Sequence, residues 1–123
     1  MGRKIRIKAN AIELTAELND TRTADAISEA LPIKAKVSRW GQEIYLSTPV
    51  NLELEKGQDV VNMGDLGYWP PGKAFCIFFG PTPASLGDEI RPASAVTVFG
   101  KVVGEAMILD KIAQGTEITI EGE

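Results

Sequence analysis

Arg39, Arg91 and the run Tyr68-Trp69-Pro70-Pro71 are the residues of this chain whose types suit chemistry on a bound molecule. A guanidinium holds a rigid fork of donors that can face a carbonyl or a twisting amide, with no covalent step. Aromatic side chains on a segment stiffened by Gly and Pro offer contact area at low entropic cost. Tyr68 and Trp69, together with Ile44, Phe78 and Phe79, would wall an apolar pocket, and Arg39 or Arg91 would supply its donor. Each also has a plainer reading. Arginines are commonly solvated surface, Tyr and Trp beside Pro also plug barrels, and Phe78 and Phe79 belong to a run that is apolar on both faces.

The composition closes off most other chemistry. The 123 residues include no histidine and one cysteine, Cys76. The commonest general base and the commonest zinc ligand are therefore both missing, and a Ser-His-Asp or Cys-His nucleophile system is impossible. No intrachain disulfide can form, and Cys76, between Phe75 and Ile77, reads as a buried thiol. Asp65, Asp88 and Glu89 are loop carboxylates without the spacing of a metal or glycosidase site. No metal or cofactor is expected. A net charge of −4 argues against a nucleic-acid partner.

Apolar residues make up 44% of the chain and charged residues 24%, the balance of one globular domain with a real core. No run approaches the ~18 apolar residues of a spanning helix, so no membrane partner is expected. The start, MGRKIRIKAN, is basic but lacks the apolar centre of a signal peptide. Met1-Gly2 is not followed by Ser or Thr at position 6, where Arg6 stands, which speaks against myristoylation. The expectation is a cytoplasmic protein.

The elements that must position the candidate residues are mainly strands. Ile5, Ile7 and Ala9 alternate with Lys4, Arg6 and Lys8, and Ile12, Leu14, Ala16 and Leu18 alternate with Glu13, Thr15 and Glu17. This predicts an antiparallel hairpin with opposite charges facing each other outside. Ala24, Ile27, Ala30 and Leu31 form a helical stripe that Pro32 ends, with Asp20, Thr21 or Thr23 as N-cap. Strands are predicted over 35–38 and 43–46, joined through Arg39-Trp40-Gly41-Gln42, and a central strand covered on both faces over 75–79. Residues 64–72, GDLGYWPPG, read as a shaped loop feeding that strand. Val96–Phe99 reads as a strand, Gly100 as a turn or bulge, 105–114 as a second helix and 117–121 as a last strand. Short strands with two helices outside any regular βαβ order predict a mainly antiparallel barrel or sandwich.

Residues 96–114, VTVFGKVVGEAMILDKIAQ, resemble the C-terminal part of cyclophilins, above all in Val98-Phe99-Gly100-Lys101-Val102. The segment Gly67-Tyr68-Trp69-Pro70-Pro71-Gly72-Lys73-Ala74-Phe75-Cys76-Ile77 is similar to the cyclophilin pattern Gly-Pro-Asn-Thr-Asn-Gly-Ser-Gln-Phe-Phe-Ile, keeping both glycines, the first Phe and the Ile. The whole chain, and GDLGYWPPG in particular, looks like a small prokaryotic cyclophilin-like family. That resemblance implies a closed or nearly closed eight-stranded antiparallel barrel with two capping helices, and no assigned reaction. The departures bear on activity: Cys76 stands in place of the second Phe, Ala74 in place of the Gln, and no histidine exists. Val37-Ser38-Arg39 falls on the cyclophilin Phe-His-Arg and Ile44-Tyr45-Leu46-Ser47 on Phe-Met-x-Gln, so Arg39 is the one catalytic residue type that could persist. Three functions follow as expectations. The first is a weakly active or noncatalytic protein binding a peptide or small molecule in a surface groove. The second is a peptidyl-prolyl isomerase using Arg39 or Arg91. The third is a homo-oligomeric module with the Trp-Pro-Pro segment between subunits.

Overall fold

The computed structural model describes residues 3–123; the Met1-Gly2 start lies outside the described residues. The alternating pairs at the N-terminus form strands β1 (Lys4–Ala9) and β2 (Ile12–Leu18), turned through Asn10 at φ 54°. Asn tolerates this left-handed conformation better than most residues. The expected charge pairing is present in the register, with Lys4 opposite Glu17 and Lys8 opposite Glu13. The nearest contacts are Arg6 Nε to Glu13 at 3.5 Å and Lys8 Nζ to Glu121 at 2.8 Å.

Helix α1 (Arg22–Ala30) starts at Thr21, whose hydroxyl accepts from the amide of Ala24 at 3.0 Å, and stops before Leu31-Pro32. It buries Ala24 and Ile27 over one end of the sheet. The chain continues through β3 (Ile33–Lys36), β4 (Ser38–Arg39), β5 (Glu43–Ser47), β6 (Asp65–Trp69), β7 (Ala74–Phe78), β8 (Thr97–Val103) and β9 (Glu117–Gly122).

Every pairing is antiparallel, in the order β3-β9-β1-β2-β8-β6-β7-β5-β4. The two ends of this sheet are consecutive in sequence, divided only by buried Val37, so one extended segment leaves β9 and joins β5. The result is a nearly closed barrel. Among the described residues nine strands stand where eight were expected, because that closing segment breaks at Val37. The interior holds Ile5, Ile7, Leu18, Leu46, Leu66, Tyr68, Phe75, Phe99 and Ile120, with Ile27 and Leu109 at its margins. The Phe75 and Phe99 rings meet edge to face at 5.0 Å and 82°.

Two local expectations are corrected, and one that left two alternatives open is decided. GDLGYWPPG is not a loop: its centre is β6, and only Pro70–Gly72 makes a turn, of 3-10 type. The strand pattern is masked because its outward position is Gly67, where a Cβ would sit 3.0 Å from both Phe78 Cε2 and Val96 Cγ2. Of the turn or bulge expected at Gly100, the turn is absent and the bulge is present. β8 runs through Gly100, and glycine is needed because a Cβ would lie 2.6 Å from the Glu17 carbonyl oxygen. The bulge is a register shift against β6, where Leu66 faces Gly100 but Gly67 faces Val98. The second helix is a 3-10 turn over Ala106–Lys111, capped by the Glu105 carboxylate accepting from the Met107 amide at 3.1 Å.

Candidate functional site

Two apolar clusters lie on opposite faces of the wall β8-β6-β7-β5. Residues 75 and 77 of β7 point into the barrel, whereas Ala74, Cys76 and Phe78 point outward. The outward set packs with Val61, Ile90 and Val96 from the long connections before β6 and before β8. These connections are tied down by the bridges Gln58 to Val96 and Val61 to Ile90.

At the edge of this outer cluster the wall and the connections leave a cavity of about 220 Å³, lined by Trp40, Glu43, Tyr45, Trp69, Cys76, Pro92, Ala93 and Val96. Strand register assembles it. Glu43 and Tyr45 share the outer face of β5, Cys76 lies opposite Tyr45, and Gly67 lies opposite Cys76. Trp69 follows two residues after Gly67 on the same face of β6. Its indole Nε1 donates to the Ser94 hydroxyl at 2.7 Å, fixing the segment that carries Pro92 and Ala93. Trp40 is held by the turn between β4 and β5, its amide donating to the Glu43 carbonyl at 3.0 Å.

Among the described residues Glu43 is the one carboxylic acid lining the cavity, and it is only 5% exposed. Burial raises its pKa to about 7, against a weaker opposing hydrogen bond from the Cys76 thiol. No ion pair among the described residues involves Glu43. The Cys76 thiol is pushed well up by its own burial and then by the neighbouring Glu43. It is therefore a neutral packing group and no nucleophile. Among the described residues no cluster of three or more His, Cys, Asp or Glu could hold a metal ion, and no helix is long and apolar enough to cross a membrane.

Of the residues singled out from sequence, only Trp69 lines this cavity. Tyr68 points the other way, fully buried in the barrel, its hydroxyl donating to the Val50 carbonyl at 2.7 Å and accepting from the Leu52 amide at 3.1 Å. Ile44 is interior on β5; Phe78 is sealed under the outer connections and Phe79 lies within the main core, so none of the three lines this cavity. Asp65 is at the margin of a second, more polar cleft with Glu17, Asp20 and Lys101, and accepts from the Asn62 amide at 2.8 Å.

Neither arginine reaches the cavity. Arg39 donates to the carbonyls of Asp110, Ile112 and Gly41 at 2.9, 3.0 and 3.1 Å, and to Asp110 Oδ1 at 3.0 Å, with its guanidinium 5.2 Å from the centre of the Phe79 ring. It clamps the 3-10 turn to the β4–β5 turn. Arg91 pairs with Glu89 at 2.6 Å. Arg39→Ala should therefore lower stability by about 1–3 kcal/mol in a denaturant melt, because several acceptors lose a charged donor. Arg91→Ala should leave the melt almost unchanged. Equal effects of the two substitutions would contradict the clamp.

Trp40, Glu43 and Tyr45 escape a reading from sequence. The available signal was the alternation Glu43-x-Tyr45 on a strand whose other face, Ile44 and Leu46, is apolar. It placed two residues on one face but could not say what lay beside them.

Residues 3–121 match a family model described as Cyclophilin-like. No curated protein matches the chain. Among solved structures, the chain is similar to a hypothetical protein from Archaeoglobus fulgidus determined in solution. The two share 43% identity, over 99% of this chain and 95% of the other, with a TM-score of 0.83.

Proposed function

The chain belongs to the cyclophilin-like family, and from that premise we propose that it is a cytoplasmic ligand-binding protein without strong catalysis, whose site is the outer cavity at Trp40, Glu43, Tyr45 and Trp69. The observation that carries this reading is the cavity itself: three aromatic side chains, two from the β4–β5 hairpin and one from β6, converge on one space with a single carboxyl group among the described residues. An apolar hollow with few, well-placed polar groups is the usual form of a small-molecule or side-chain pocket.

The isomerase alternative is less supported, because neither candidate arginine is at the cavity. Accelerating rotation about an X–Pro bond requires a group that favours the twisted amide over a barrier of ~20 kcal/mol. Among the described residues no Arg or Lys lines the cavity, and Arg39 and Arg91 are engaged elsewhere. A proline tetrapeptide assay is expected to show no rate above background that Arg39→Ala or Arg91→Ala removes.

Ligand binding is tested by titrating the protein with a library of small aromatic, aliphatic and amine fragments while recording amide and indole NMR signals. Binders should move the two indole N–H signals and the amides of Glu43, Tyr45 and Cys76. A library whose binders all map to other surfaces, or that yields none, overturns the reading.

A further inference from the structure

Glu43 is the anomaly of the site. A carboxyl group on a strand face is ordinarily solvated or paired, and burial in apolar surroundings is costly unless something compensates. Here the side chain is 5% exposed and takes part in no ion pair among the described residues. No buried side-chain oxygen among the described residues lacks a partner, so a Glu43 oxygen without one must keep an opening, and the opening Glu43 lines is the cavity. The walls around it are aromatic and apolar, with no second polar side chain beyond the tyrosine and the Cys76 thiol.

We propose that the cavity is a cage for an alkylated ammonium group, held among Trp40, Tyr45 and Trp69 with the Glu43 carboxylate as its counter-ion. This deepens the binding function above and rests on it. The ligand class follows from the lining. Aromatic rings attract a cation through their quadrupoles, most strongly when water is excluded. A bare ammonium would need several acceptors to replace its hydration, and the cavity side chains supply mainly one carboxylate. An alkylated ammonium spreads its charge over methyl groups that apolar walls can touch. A trimethylammonium head is well within about 220 Å³. The net charge of −4 favours the approach of a cation.

A pH signature follows. The other ionisable groups facing Glu43 are Tyr45 on its own strand and Cys76 on β7, whose thiol burial and Glu43 keep neutral. From the adjoining segments, Arg39 is turned to Asp110 and Arg91 to Glu89. Binding a cation requires the carboxylate, while the empty cavity holds Glu43 half protonated near pH 7. Affinity should therefore rise with pH and level off above 8, being roughly tenfold weaker at pH 6.

The test uses choline, its neutral isostere 3,3-dimethylbutan-1-ol, and a tetrapeptide containing trimethyllysine, each followed by the indole N–H signals at pH 6 and pH 8. Choline or the peptide should bind at least tenfold tighter than the alcohol at pH 8 and weaken about tenfold at pH 6. Glu43→Gln should abolish the pH dependence and reduce the preference to what the three rings alone supply. The tighter of choline and the peptide identifies a free or a peptide-borne ammonium. If the alcohol binds as well as choline, or binds tighter at low pH, the ammonium cage is wrong while ligand binding stands. If neither choline nor the peptide perturbs the indoles, the cage is also wrong, and the fragment titration alone then decides the wider reading. Because the isostere comparison uses the unaltered protein, it decides even if Glu43→Gln does not fold.

Discussion

Glu43→Gln is expected to stabilise the empty protein by about 3 kcal/mol at pH 8 and to change little at pH 4. In the unfolded chain the carboxyl group ionises near its ordinary 4.5, and in the fold only near 7. Between those values the native state binds more protons than the unfolded state, so stability falls as pH rises. Below 4.5 both states are protonated and nothing is lost; above 7 the whole penalty is present. Gln keeps the shape and cannot ionise, so the penalty disappears. The shift should be on the order of 10 °C in Tm at pH 8. Other shifted carboxyls, including Asp65, Glu89 and Glu121, occur in both proteins and cancel in the difference. Melts of the two proteins from pH 4 to pH 8 measure it. A difference that stays flat across that range would sink the assignment of Glu43 as a buried acid without an ion-pair partner. A stability cost concentrated in a cavity wall is what a binding residue shows when its partner is absent.

The barrel was readable because its signals are local. Alternation along residues 4–9, 12–18 and 117–121 fixes which face is buried, and the two-sided apolar run at 75–78 marks a strand covered inside and out. β6 was hidden by its own outer face. Gly67 gives no alternation to read, and Pro70-Pro71 directly after Trp69 suggests a loop to any local rule. The site was hidden for a different reason. Tyr45, Cys76 and Gly67 lie side by side only because β5, β7 and β6 are neighbours in the sheet, an order that no local pattern encodes. Arg39 drew attention by residue type, yet its partners at 110 and 112 come from the far end of the chain. Residue type suggested chemistry where topology had placed a clamp.

Tyr68 and Trp69 show how far one residue of register decides a role, and they carry the second large expectation. Tyr68→Ala should cost about 3–5 kcal/mol, the usual loss for a fully buried aromatic ring, and more if the barrel cannot close over the void. Part of that loss is polar. The Tyr68 hydroxyl bridges the Val50 carbonyl and the Leu52 amide, so it fastens the long connection between β5 and β6 to the inside of the barrel. Tyr68→Phe keeps the ring and removes the bridge, and should cost about 1–3 kcal/mol. Its amide exchange should accelerate around residues 50–52 before it does elsewhere. Trp69→Ala, one residue on and facing outward, should cost less stability than Tyr68→Ala but weaken ligand binding as read at the remaining Trp40 indole. Chemical denaturation of the three variants, with the ligand titration repeated on each that folds, compares them directly. If Tyr68→Phe abolished ligand binding at unchanged stability, Tyr68 would belong to the site after all. The expected outcome is the reverse. The two adjacent aromatics then have separate roles, one holding the barrel shut and the other facing the outer cavity.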